Sequence, residues 1–241
     1  MPRRVEIVLK EGFDEAAFQG ARLVTGFKGF GATGYIATRY IASKLGMERV
    51  GVILTKYMPE FAFRDDYGLA FPFEIFYREN PKLVVVVNHD LPDPRDRRVF
   101  AEVLVEWMKK VGITEAILIG GLDKKLKSGE EKMRWLANSH YAEKLGEPLM
   151  DKWLLIIGPL ALLLMYSELK GLPALAVLPY AEAMRYDPYA AAVAVEKVGQ
   201  LIGLKIDASE LYEEARKFEE ELEKLSKLEE TKRTVGKDLY M

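Results

Sequence analysis

The sequence predicts an α/β domain with a mostly parallel sheet flanked by helices. Short β-branched runs alternate with helical stretches over about two hundred residues, the order expected when crossover helices join the strands. Several runs are apolar at every position, as in Leu83-Val84-Val85-Val86-Val87, which suits strands covered on both faces. The chain has 241 residues, 49% of them hydrophobic, enough for one large domain or two small ones.

Taken in order, strands are expected at 5–9, 22–25, 50–55, 83–88, 116–120, 154–157 and 174–178. Apolar positions at helical spacing predict helices over 35–45, 95–111, 139–145, 160–169 and 189–202. Between Tyr57 and Pro81, seven Phe or Tyr crowd PEFAFRDDYGLAFPFEIFY around a turn at Asp66-Tyr67-Gly68. That pattern reads as an aromatic hairpin, either extending the core at its edge or forming a subunit contact. Residues 153–166 (WLLIIGPLALLLMY) carry no charge, but a bilayer span takes about 17–25 residues, so the segment is expected in the core.

From Asp207 to Lys232 there are ten acidic and five basic residues, with apolar positions at Leu211, Ala215, Phe218, Leu222 and Leu225. This 4-3-4-3 stripe predicts an amphipathic helix that packs on its own domain or pairs with another subunit as a short coiled coil. The last nine residues, RTVGKDLYM, carry a glycine and no helix signal, and read as a flexible tail. The expected organisation is a scaffold over 1–206, an acidic helix over 207–232 and a tail over 233–241.

Composition excludes several function classes. Basic and acidic residues number 35 and 37, for a net charge of -2, so there is no broad basic footprint for nucleic acid. No cysteine is present, which removes disulfides, zinc ribbons, thiolate nucleophiles and iron–sulfur clusters together. Two histidines, His89 and His140, leave little for a His-based metal site. No cofactor and no metal are expected. The opening MPRRVEIVLKEGF has only a five-residue strand-like run after its arginines, giving no secretion signal and a cytoplasmic expectation. Three Asn and two Gln beside abundant Lys and Glu lean towards a thermophile.

Two stretches resemble chemistry. Gly29-Phe30-Gly31-Ala32-Thr33-Gly34 matches G-x-G-x-x-G between a strand and a helix, where glycines let phosphate approach the backbone. A dinucleotide fold also needs an acid about 20 positions on, at the end of the next strand. Here that strand ends Ile53-Leu54-Thr55-Lys56, and tight strand-to-helix packing is the plainer reading. His89, beside Asn88 and Asp90, follows a strand at the edge where open α/β sheets carry ligands, so a general base assisted by Asp90, Asp123 or His140 is conceivable. No G-x-S-x-G elbow accompanies it, and Asp90-Leu91-Pro92-Asp93-Pro94 reads as a turn. An enzyme of the phosphorylase or hydrolase type, using the 29–34 loop and His89, is the alternative function. No G-x-x-x-x-G-K-[ST] occurs, so no P-loop ATPase is expected.

The chain ends Leu239-Tyr240-Met241. A tail carrying its own carboxylate can dock by pairing that group with Lys or backbone donors, while Tyr supplies area and a hydroxyl.

Several stretches together resemble the archaeal proteasome assembly chaperone family, homologues of the eukaryotic proteasome assembly chaperone 2. They are Gly26-Phe27-Lys28-Gly29-Phe30-Gly31 with Gly34, Gly120-Gly121, Gly158-Pro159-Leu160-Ala161-Leu162-Leu163, Leu178-Pro179-Tyr180-Ala181-Glu182 and Tyr186-Asp187-Pro188-Tyr189-Ala190-Ala191. Their order and spacing, from about residue 20 to 215, carry the likeness, with Lys28 standing where members often have Pro. The resemblance implies a nucleoside phosphorylase-like α/β scaffold without catalytic residues, assembled as a homo-oligomer, with tetramer and pentamer as candidate sizes and a paralogous member as a candidate partner. It also implies proteasome core particle α-subunits as partners. Proteasome activators end in a hydrophobic-Tyr-X tail that enters pockets between α-subunits, and Leu239, Tyr240 and Met241 match that ending position by position. The function implied is an assembly chaperone homologue, an activator, or both, with no nucleic acid or membrane involved.

Overall fold

The computed structural model describes residues 5–238, with side chains through 225. In chain order the elements are β1 (Val5–Leu9), β2 (Arg22–Gly26), α1 (Thr33–Lys44), β3 (Glu48–Thr55), β4 (Phe63–Asp65), β5 (Gly68–Ala70), β6 (Phe73–Arg78), β7 (Leu83–Asn88), α2 (Arg97–Lys110), β8 (Glu115–Ile119), β9 (Leu122–Asp123), β10 (Met133–Ala137), α3 (Pro159–Lys170), β11 (Ala174–Ala181), α4 (Pro188–Ile202) and α5 (Ser209–Asp238). The main sheet runs β1-β3-β6-β7-β2-β8-β11-β10, and β9 adds to β11. Its centre is parallel: Leu23 of β2 lies between Val84 of β7 and Ala116 of β8, and β8 pairs with β11. Both flanks are antiparallel. The four-residue link from β6 to β7 can only reverse the chain, whereas the helical crossovers from β7 to β8 and β8 to β11 allow parallel pairing.

Side chains alternate between two cores across this sheet. Leu23, Val84, Val86, Ala116 and Leu118 face α2 and α3, where Phe100, Leu104 and Leu163 cover them. Val24, Val85, Val87, Ile117 and Ile119 face α1 and α4, meeting Ile41, Ala191 and Val195. That is why the 83–87 run is apolar at every position. Helix ends follow local chemistry. The Asp187 carboxylate accepts from the Ala190 N–H at 3.0 Å ahead of Pro188, and Gly171 and Gly203 close α3 and α4 in the left-handed region.

Several expectations change. Residues 154–157 form no strand. They lie in a loop in which Trp153, Leu155 and Ile157 are 94%, 80% and 75% exposed, while Ile156 packs partly buried against the core and the α3 part of the uncharged 153–166 run enters it through Leu160, Leu163 and Tyr166. Residues 139–145 form no helix either. Ser139 gives both its N–H and its hydroxyl to Glu168, and seven residues cannot nucleate a helix alone. The 57–81 stretch divides: β4 and β5 make the aromatic hairpin, while β6 joins the main sheet between β3 and β7. Strand β10 was not anticipated from MRWLA, although its alternation buries Met133 and Trp135.

The acidic helix α5 is anchored at its start. Leu211 is buried, Tyr40 donates to the Asp207 carbonyl at 2.8 Å, Tyr212 donates to Glu196 at 2.9 Å, and Arg185 pairs with Glu219 at 2.6 Å. The heptad stripe therefore packs on its own domain first and becomes uncovered by Leu225, which is exposed. Thirty residues make a helix about 45 Å long. It continues beyond 232 to Asp238, because no proline interrupts it and Gly236 alone costs a helix only about 1 kcal/mol. Among the described residues, no helix is long and apolar enough to cross a membrane.

Candidate functional site

Packing accounts for Gly31 and Gly34 of the G-x-G-x-x-G stretch, and for Gly26 before it, whereas a Cβ on Gly29 would meet nothing within 4 Å. A Cβ on Gly34 would lie 2.5 Å from the Ile119 carbonyl oxygen, and one on Gly26 would lie 2.6 Å from the Gly34 Cα. The two glycines let β2, α1 and β8 meet backbone to backbone. Gly31 has a φ of +63°, and a Cβ there would meet those of Asp187 and Ala181. Its carbonyl accepts from the Asp187 N–H at 2.9 Å, tying the loop to the start of α4.

Beyond this turn, the carboxyl ends of β2 and β8 open into a crevice of about 340 Å³. The helix after β2 covers one face of the sheet and the helices after β7 and β8 cover the other, so this is the switch point where open α/β sheets carry their ligands. Phe27, Phe30, Leu91, Ile157, Leu160 and Leu178 line it. Its two cations are turned to other partners. The Lys28 ammonium sits 4.9 Å from the Tyr35 ring centre, and Arg97 Nε donates to the Pro92 carbonyl at 2.9 Å. The crevice thus presents an apolar surface.

His89 sits at the same edge in an opposite environment. It is 3% exposed. Its Nε2 lies 2.8 Å from Glu74 Oε2 and its Nδ1 3.4 Å from the Tyr35 hydroxyl. The fully buried Glu74 carboxylate also accepts from Arg49 Nη1 at 2.7 Å and from the Tyr67 hydroxyl. Phe63 stacks edge-on to the imidazole, with ring centres 5.0 Å apart. Burial, with donation to Glu74, pushes the Tyr67 phenol well above its usual range, and burial raises Tyr35. The hairpin that supplies Phe63 and Tyr67 is pinned by Arg39, whose guanidinium donates to both Asp65 oxygens at 2.9 and 2.7 Å and holds that carboxyl below its ordinary value. Tyr35 and Tyr67, rather than His89, line the neighbouring groove of about 510 Å³. Both imidazole nitrogens are engaged inside the protein, an arrangement suited to fixing a hairpin on a sheet.

The other groups considered for a base do not join His89. Asp90 accepts from the Leu91 N–H, Asp123 caps a short turn through the Lys125 N–H, and His140 lies against the Glu168 carbonyl. Sequence reasoning missed Glu74 and Arg49, charges set among aromatic and β-branched residues in β6 and β3, a sign of a partnered, largely buried charge. Among the described residues no cluster of His, Asp or Glu could hold a metal ion. Leu239, Tyr240 and Met241 lie outside the described residues.

Known proteins share this architecture. The crystal structure of Pyrococcus furiosus PbaA, an archaeal homologue of proteasome-assembly chaperone, matches with a TM-score of 0.78 at 22% identity, covering 98% of this chain and 97% of that one. That of PbaB from the same organism, an archaeal proteasome activator, matches with a TM-score of 0.76 at 21% identity, covering 93% and 99%. An uncharacterised protein of Methanocaldococcus jannaschii, MJ1210, is 25% identical over 237 residues, 94% of this chain and 91% of its own length. A sequence model of the PAC2 family matches residues 23–226. With most of its length so matched, the chain belongs to the PAC2 family.

Proposed function

We propose that the protein is a non-catalytic, ATP-independent partner of the archaeal proteasome, acting in the cytoplasm as an assembly chaperone homologue, as an activator, or as both. The observation that carries this reading is its PAC2 membership, with a fold like those of PbaA and PbaB over more than nine-tenths of the chain. In this reading Leu239 fills the apolar part of a pocket between α-subunits, Tyr240 supplies an oriented ring and hydroxyl, and the Met241 carboxylate pairs with a pocket lysine. In the same reading the acidic helix serves to project or cluster the tails. The chain assembles with copies of itself, as a tetramer or a pentamer, or with a paralogue, so that several weak tails bind together. Binding energy alone shifts the gate. The competing enzymic reading needs a reachable base, and His89 is held inside by Glu74, Tyr35 and Phe63.

The test is peptide hydrolysis by archaeal proteasome core particles, with the intact chain and with Leu239, Tyr240 and Met241 deleted. Stimulation by the intact chain alone is expected. Equal stimulation by both, or by neither, removes the activator role, and a ring-formation assay with free α-subunits then decides the chaperone role.

A further inference from the structure

The loop before α3 holds its apolar side chains in water. Trp153, Leu155 and Ile157 are 94%, 80% and 75% exposed, and Met184, next to the crevice-lining Ala183, is 97% exposed. Trp153, Leu155 and Ile157 together present on the order of 500 Å², within the ~300–600 Å² of the largest apolar patch on a typical monomer, and the adjoining crevice extends it towards the ~800 Å² each partner gives a standard interface. Trp153 also takes a φ of +72°, in the left-handed region that disfavours side chains. Residues held in such sparsely populated backbone states cluster at functional contacts. No charged residue lies between Trp153 and Gly158, and Lys28 and Arg97 are engaged elsewhere.

The same face carries both halves of an apolar contact. The loop is a ridge, and Leu155 and Ile157 form a lip of the crevice walled by Phe27, Phe30, Leu160 and Leu178. We infer that this face is the contact between copies of this chain, with the Trp153 ridge of one copy seated against the crevice of the next. A surface holding both knob and hole fits a homo-oligomer, and permanent subunit contacts are more apolar than transient ones. The inference rests on the self-association in the proposed function, and it adds where the copies meet.

Light scattering on the full chain eluting from a size-exclusion column separates the two claims. The wild-type chain is expected at a multiple of 27.4 kDa, and the double variant Leu155→Asp, Ile157→Asp at the mass of one chain. Leu69→Asp, at another exposed leucine on the hairpin, is expected to keep the wild-type mass. A wild-type monomer overturns both self-association and this contact. A double variant that keeps the oligomer overturns the contact alone. Hydroxyl-radical footprinting of the wild-type assembly gives a reading independent of variant folding. Trp107 and Trp135 are buried within the chain, so protection of Trp153 and Met184 supports the contact, and their rapid oxidation in the intact assembly overturns it.

Discussion

Along one edge of the sheet, two neighbouring regions invert the usual arrangement of a protein surface. At the end of β7, His89, Glu74 and Arg49 form a polar network with Glu74 and His89 buried beneath an aromatic hairpin. Beside it, at the ends of β2 and β8, an apolar crevice and its tryptophan-bearing lip face water. Here the polar groups hold the fold and the apolar ones face water, which leaves the exposed region available for contact.

The largest expected effect lies in the sealed region. Glu74→Ala leaves Arg49 and His89 without their shared carboxylate and should cost about 3–5 kcal/mol, as for removal of one partner from a buried ion pair, read from urea unfolding. A negligible change would mean that the network does not hold the fold. Gly34→Ala comes next. Its methyl must displace the Ile119 carbonyl, and a loss of about 1–3 kcal/mol is expected from overpacking; tolerance would reopen the 29–34 loop as something other than a packing device.

A smaller effect is expected at the clasp of the hairpin. Arg39→Ala should cost about 1 kcal/mol, since the pair is bidentate but Arg39 is half-exposed. The sign of its pH dependence is fixed. The Asp65 carboxyl titrates lower in the folded chain than its ordinary 3.8, chiefly because Arg39 hydrogen-bonds to it. Its contribution is therefore complete above that value and is lost as pH falls through the lower folded one. Protection of the β4 and β5 amides, measured against their intrinsic exchange rates at each pH, should fall in acid in the wild-type chain, and much less so in Arg39→Ala. The smallest effect on folding belongs to the lip. Leu155→Asp, measured where copies are dissociated, should shift stability by no more than about 0.5 kcal/mol, whereas a loss of several times that would place Leu155 in the chain's own core.

The sequence made the parallel centre legible because β7 is apolar on both faces and because Asp187-Pro188 announces α4 locally. The glycine turn was legible as packing because the acid a dinucleotide site needs is missing after β3. Residues 154–157 were not, since four apolar residues look alike whether their own fold covers them or another surface must. Glu74, Arg49 and His89 come from three different strand segments, and only the folded sheet brings them together. Helix α5 was visible from its heptad stripe, but its end was not, because a single glycine is a weak stop.

The most direct measurement of the central claim is sedimentation of the full chain with purified archaeal proteasome core particles. The account predicts that the intact chain co-sediments with the core particle and that removal of Leu239, Tyr240 and Met241 abolishes this while leaving the free chain's own sedimentation unchanged. Failure of the intact chain to co-sediment, or equal binding by the shortened chain, would contradict it.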